Sequence, residues 1–443
     1  MFYRKNNKMK YIITTAQKSA KANKNLLANI KTFQKVHGID DEGLLLFVMN
    51  GKYKDDEIID TALFNAGFAI VENKTLNANL RLRDMKVQAQ KIKPFNGLNS
   101  KLPRECSHIL PATKIRYETL SNLSHHPRAL ISTGAVTEGA YKLNTQLGQK
   151  AHEQHQFGFV YVKVVDNRIF HAMQVDCQKN GNFYYLNEFY HNGKMTKATP
   201  KAIVLGDLHI GILDKNAYEM SLQQLRDMKP EYVALHDIFD GASVNHHEKK
   251  SFISSLKNFQ LKKDSLSKEL KMVHKHLWDL SKEFPNIKFI IPESNHDVFL
   301  RRYIDSGDFM YNPQNFLFVA TIIPEVLKEK RPVLEIALSE IGKLPKNMHF
   351  LLENDEFRVA GVNIGSHGHL GVSGSRGSVS QFDRQNFNQM SGHTHKPERQ
   401  ANAISVGTNS ILNQRYMKGP GAHAHANGIV YKDGHQMLYV MIT

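Results

Sequence analysis

The chain is poor in cysteine and tryptophan: Cys106, Cys177 and a single tryptophan stand among 443 residues. Two thiols so far apart offer neither a disulfide framework nor the paired cysteines of a zinc site. Two reduced thiols of a cytoplasmic protein are the expectation. Long apolar runs are missing as well. Leu44 to Met49 and Phe157 to Val165 fall far short of the roughly 20 residues that cross a bilayer, so no membrane partner is expected. The opening residues MFYRKNNKMK are basic but lack the apolar stretch of a secretory signal. Acidic residues are the scarcer charge, 42 against 58 basic ones, which leaves a net +16.

What is there begins with where that charge lies. Residues 1–200 hold 29 basic and 16 acidic groups and so carry +13 of the excess. Lys and Arg on phosphates provide most non-specific nucleic-acid affinity, so the asymmetry points to a polyanion partner, with a solvated basic surface as the alternative. A hydrophobic share of 41% is enough for a real core, and the length suggests two domains.

The pattern along the chain divides it into four stretches. Residues 1–75 read as a small helical region resembling a helix-turn-helix unit, from the spacing of apolar positions in Lys18 to Phe33 and around Ile58 to Leu63. Residues 76–130 are polar, basic and weakly patterned, which reads as a linker or a surface-tracking arm. Residues 131–199 read as an antiparallel β meander, because Asp166-Asn167, Asn180-Gly181 and Asn192-Gly193 punctuate runs of strand-forming residues. From residue 200 to 443 short apolar strands alternate with helical stretches, the longest from Ser251 to Phe284. The fold class expected is α/β for this part, preceded by a basic α+β N-terminal region.

Metal-ligand side chains gather in five clusters within residues 200–443. They are Asp207-Leu208-His209, Asp237 with Asp240, Asn295-His296-Asp297, His367-Gly368-His369, and Gly392-His393-Thr394-His395. The first three follow apolar strands, whose ends can converge in space. Carboxylate and amide oxygens mixed with imidazole nitrogens suit Mn, Fe or Zn better than a thiolate or calcium site. A carboxylate such as Asp237 can bridge two ions about 3.5–4 Å apart.

This series resembles the calcineurin-like metallophosphoesterase superfamily, whose blocks read D-x-H, G-D-x-x-D, G-N-H-[ED], H and G-H-x-H. The resemblance covers about residues 202–430 and implies a β-sandwich flanked by helices. It implies two divalent ions, most simply Mn with Fe, Zn and Mg as alternatives. Asp207, His209 and His395 would hold the first ion, and Asn295, His367 and His393 the second, with Asp237 bridging. A bridging hydroxide would attack phosphorus, His296 would assist the leaving alkoxide, and Asp297 would orient the His296 ring. His236 and Ser294 stand where the family has glycine, so a local rearrangement of the backbone is expected, and His236 is a candidate substrate contact. His367 is preferred over His369 as ligand.

Other residues are candidate substrate contacts: Arg301 after the His296 block, His246 after the second block, and Arg376 in the glycine-rich segment Gly371–Ser378. His367 through Gly377, Gly407-Thr408 and Gly419-Pro420-Gly421 also resemble metallophosphoesterases of tailed bacteriophages, some of them similar to early DNA-degrading proteins. The expectation is therefore a phage-encoded metal-dependent DNase. The alternatives are a small-molecule or cyclic-nucleotide phosphoesterase, and a DNA-transfer or DNA-binding protein in which turnover is secondary. Homo-oligomerisation is compatible with all three.

Overall fold

The computed structural model describes residues 9–50, 58–98, 100–121, 127–245, 252–261, 263–414 and 419–441. Its first strand, Lys10–Gln17, is built from Ile12, Ile13, Thr14 and Thr15, β-branched residues stiff at χ1 that pack well on a pleated surface. It lies inside an eight-stranded sheet, parallel to Leu44–Met49 and antiparallel to Phe157–Val164. Alternation gives it two buried faces. Ile12 packs with Phe33, Leu46 and Phe159 on one side, and Ile13 packs with Phe47, Val160 and Val162 on the other.

Residues 1–75 are therefore not a small helical region. Two helices are described there: Lys24–His37, capped by Asn23, whose side chain accepts from the Leu26 amide, and a short one, Thr61–Asn65, capped by Asp60, where the spacing around Ile58 to Leu63 placed a helix. A single 3-10 turn, Asp41–Gly43, leads into the strand Leu44–Met49. A run of six apolar residues has no helical stripe, and here both of its faces are covered. Within residues 131–199 a helix, Gln146–Glu153, precedes the antiparallel strands Phe157–Val164, Phe170–Cys177, Phe183–Tyr185, Glu188–His191 and Lys194–Lys197.

The linker reading of residues 76–130 is also corrected. Leu80–Arg83, Ser107–Leu110, Arg116–Leu120 and Arg128–Ser132 are strands of a ten-stranded sheet. Its other half comes from residues 358–405, and the join is antiparallel: Tyr117 faces Arg399, and Arg116 faces Gln400. The N-terminal region thus extends a sheet of the C-terminal half instead of merely preceding it. The Lys114 ammonium is fully buried and ties this region together, donating to the carbonyls of Ala89 and Ala151, to Thr113 Oγ1 and to Tyr141 Oη.

The third sheet has six strands. Ala202–Val204, Tyr232–Ala234, Lys288–Pro292 and Met348–Leu351 are parallel, and Ala426–Val430 and Gln436–Val440 close one edge antiparallel. Val204, Ala234 and Val430 pack against Val362, Met390 and Ile404 of the ten-stranded sheet, which makes a mixed α/β sandwich. The long helical stretch is two helices, Phe252–Gln260 and Leu266–Glu283, the second started by the Ser265 side chain accepting from the Lys268 amide. Both cysteines are buried and unpaired. Among the described residues no helix is long and apolar enough to cross a membrane.

Candidate metal centre

Both sheets of the sandwich deliver the candidate ligands. Neighbouring parallel strands end at the same edge, so Ala202–Val204 leads to Asp207, Tyr232–Ala234 to Asp237, and Lys288–Pro292 to Asn295. The other sheet supplies His393 and His395 after its strand Gln389–Ser391. Four of these residues hold left-handed backbone: His209 (φ 47°), Asp237 (φ 45°), His393 (φ 75°) and His395 (φ 51°). Each costs about 1–3 kcal/mol for a residue with a side chain, and such strain gathers where geometry has a use. Gly392 is required, because a Cβ there would lie 2.1 Å from Asp207 Oδ1.

Two groups of donors meet at Asp237. His395 Nε2 lies 3.1 Å from Asp207 Oδ2 and 3.0 Å from His209 Nε2, which lies 3.6 Å from Asp237 Oδ2. The ligand atoms of Asp207, His209, Asp237 and His395 all fall within 4.8 Å of one another. On the other side, His367 Nε2 is 3.4 Å from the same Asp237 Oδ2 and 2.9 Å from Asn295 Oδ1. His393 Nδ1 is 2.8 Å from that Asn295 oxygen. All seven sequence-predicted ligands are thus gathered in one place. His369 points elsewhere, with Nε2 3.2 Å from Glu353 Oε1.

The arrangement fits cations better than hydrogen bonds alone. Asp207 Oδ1, Asp237 Oδ1 and His395 Nδ1 are buried without a hydrogen-bond partner. Two Nε2 atoms 3.0 Å apart cannot bond unless one carries a proton, whereas a metal ion accepts both. Burial, with Asp237 nearby, raises the Asp207 carboxyl to about 7. Burial would raise Asp237 as well, but His367, His296 and His209 hold it well below the carboxylate range. Burial keeps His393 and His395 neutral, down to about 3 and 4 respectively, which is the form that ligates metal.

Around the ligands, three expectations change. The His296 ring is not oriented by Asp297. Its Nδ1 lies 2.7 Å from the Asp240 carbonyl oxygen, while Asp297 Oδ2 accepts from the Ser294 amide at 2.9 Å. The Ser294 hydroxyl in turn accepts from the Asp297 amide at 3.3 Å, a reciprocal pair that glycine at 294 could not make. His236 is fully buried behind His367, Nδ1 to Nδ1 at 3.4 Å, and does not face substrate. The backbone strain of that turn falls on Asp237 itself.

Asp240 is the residue that sequence reasoning undervalued. Its carboxylate lies 3.3 Å from His209 Nδ1, on the far side of the ring from the cage, so it sets the tautomer that leaves Nε2 for a metal. The signal was present, since Asp240 ends the second block.

Of the candidate substrate contacts, Arg301 is engaged with Asp305 on its own helix and with Glu329 beyond the later helix Pro313–Val326. Arg376 is exposed, but the amides of Gly371, Gly374, Ser375 and Gly377 bond within that loop, which leaves little of a phosphate cradle. His246 lies outside the described residues. His423 stacks edge-on against His395 at 4.9 Å between ring centres, beside the cage.

No protein-family model matches the chain. It is 28% identical to Protein A1 of Escherichia phage T5 over 458 aligned positions, which take in 97% of this chain and 81% of that protein. The crystal structure of Chaetomium thermophilum Vps29 is similar over 39% of this chain and 92% of its own, at 12% identity and a TM-score of 0.21, too faint a likeness to argue from.

Proposed function

We propose that this protein is a metal-dependent phosphodiesterase that cuts DNA, in the setting of a phage infection. One observation carries the reading: two sets of donors meet at a single buried Asp237 carboxylate oxygen. Asp207, His209 and His395 would hold one divalent ion and Asn295, His367 and His393 the other, with Asp237 between. A bound pair of such ions, Mn by preference for this donor set, supplies an activated water and neutralises phosphoryl oxygens.

The chain's own groups do the rest. The Asp240 carbonyl accepts from His296 Nδ1 and so fixes the ring, which leaves Nε2 as the free ring nitrogen; it gives a proton to a departing alkoxide when the ring carries both protons. The His296 ring centre lies 4.5 Å from that of His209, so it is adjacent to the cage without being a ligand in either set. His296→Ala is expected to keep its metals and lose about 10²- to 10⁴-fold in turnover.

DNA is favoured by the basic excess of residues 1–200 and by the face that carries part of it. Phe95, Leu98 and Leu102 pack on Leu110 and Leu130 of the ten-stranded sheet, and so lay a basic segment over that face. Its Lys93, Lys101 and Arg104 are exposed and carry no ion pair among the described residues. Similarity to a phage protein along nearly the whole chain supports the phage setting.

The test offers Mn²⁺-loaded protein plasmid, linear duplex, single strand and bis-p-nitrophenyl phosphate at low salt. Cleavage of DNA that fades as salt rises is expected. Hydrolysis of the small diester with DNA left intact would sink the nuclease reading.

A further inference from the structure

Glu269 lies on the buried side of the helix Leu266–Glu283, in line with Leu266, Leu270, Val273, Leu277 and Leu280. It is only 9% exposed, and among the described residues no cation lies within ion-pair distance. An acid on an apolar stripe is costly unless its oxygens are satisfied. Here each oxygen takes one backbone amide: Oε1 accepts from Ala242 at 3.1 Å and Oε2 from Ser243 at 3.0 Å. Both amides belong to the turn that follows Asp240.

That turn is held from the opposite side too. Gly241 adopts φ +73°, and a Cβ there would meet Phe299 at 3.1 Å and the His296 carbonyl oxygen at 3.6 Å. The chain at 240–243 is therefore clamped between the Glu269 helix and the start of the helix that carries His296. Asp240 acts in two directions from this clamp. Its carboxylate faces His209 Nδ1 at 3.3 Å, and its carbonyl faces His296 Nδ1 at 2.7 Å. A cavity of about 230 Å³ lined by Asp240, Ala242, Glu269 and Met272 lies beside the turn and gives it room to shift once untied.

We infer that Glu269 is a positioning residue: by holding the Ala242 and Ser243 amides it fixes Asp240 so that one residue orients both the His209 ring and the His296 ring. The inference rests on the phosphodiesterase reading, in which His296 serves the leaving group. Packing alone does not ask for a carboxylate here, since methionine would fill the same space.

Two variants separate positioning from packing. Glu269→Gln keeps the shape but turns an amide NH₂ toward one backbone N–H, and Glu269→Met keeps the packing without either acceptor. Metal content, KM and kcat are measured on a pair of aryl phosphodiesters, one with a p-nitrophenyl and one with a phenyl leaving group. A poor leaving group needs the His296 proton and a good one does not. With Mn²⁺ held saturating, the expected result is KM within about twofold. With it, kcat should fall about 10- to 100-fold for the phenyl ester and much less for the p-nitrophenyl ester. Equal losses on both esters, or unchanged rates, would overturn the role of Glu269 while leaving the phosphodiesterase standing. A wild type that hydrolyses neither ester would overturn both.

Discussion

The half that carries the candidate metal ligands and the basic N-terminal half share one sheet, yet they were legible in the sequence to very different degrees. In residues 202–430 each ligand cluster sits within a few residues of the strand that positions it, as Asp207 follows Ala202–Val204. A local motif then reports a local structure. In residues 9–200 the partners are remote. Ile13 of the first strand pairs with Val160, and Tyr117 meets Arg399. A window of a dozen residues sees Lys10–Gln17 as an unremarkable polar-apolar mixture, because what buries it lies far along the chain.

If the two halves share a sheet, neither is a separable domain. The largest expected effect is therefore from cutting between them: residues 201–443 alone should show no cooperative thermal transition by circular dichroism, since their half of the ten-stranded sheet would expose a hydrophobic edge. A sharp transition in that fragment would restore the two-domain picture. A smaller break targets the seam. Arg399 is 3% exposed and its Nη2 lies 2.5 Å from Asp176 Oδ2, which links the C-terminal half to the strand Phe170–Cys177. Arg399→Ala leaves that acid uncompensated and should cost about 3–5 kcal/mol in denaturant unfolding. Probes in the two halves should shift together; a shift confined to one would mean that the seam does not couple them.

Lys114 sharpens the comparison from the N-terminal side. Burial, with Arg116 nearby, lowers its ammonium to about 7. The unfolded chain keeps that proton up to the ordinary lysine range, so it binds more protons than the folded chain between about pH 7 and pH 10. Wild-type stability should therefore gain from this group as pH rises through that window, by up to about 3 kcal/mol. Lys114→Met should remove that gain from the pH profile; matching pH profiles would show that the lysine stays charged. The smallest effect concerns DNA. Neutralising Lys93, Lys101 and Arg104 together should reduce the salt slope of DNA binding by about one per residue. An unchanged slope would move the DNA contact off that face.

The candidate site was the most legible part, and its gaps are instructive. The seven candidate ligand positions, which side-chain identity alone marks in the sequence, lie together in the structure. The partner of the His296 ring was misassigned to Asp297, since a backbone carbonyl such as that of Asp240 has no signature in a sequence. Glu269 was invisible for a related reason: it acts through amides 26 and 27 residues away, from inside an apolar helix face.

The central claim is that Asp237 joins two cation sites. Elemental analysis of Mn²⁺-loaded, extensively dialysed protein tests it directly, with wild type beside Asp237→Ala and Asn295→Ala. The account predicts about two ions per chain in the wild type, because two donor sets are complete. Asn295→Ala should retain about one ion and Asp237→Ala almost none. One ion in the wild type, or two persisting in Asp237→Ala, would contradict it.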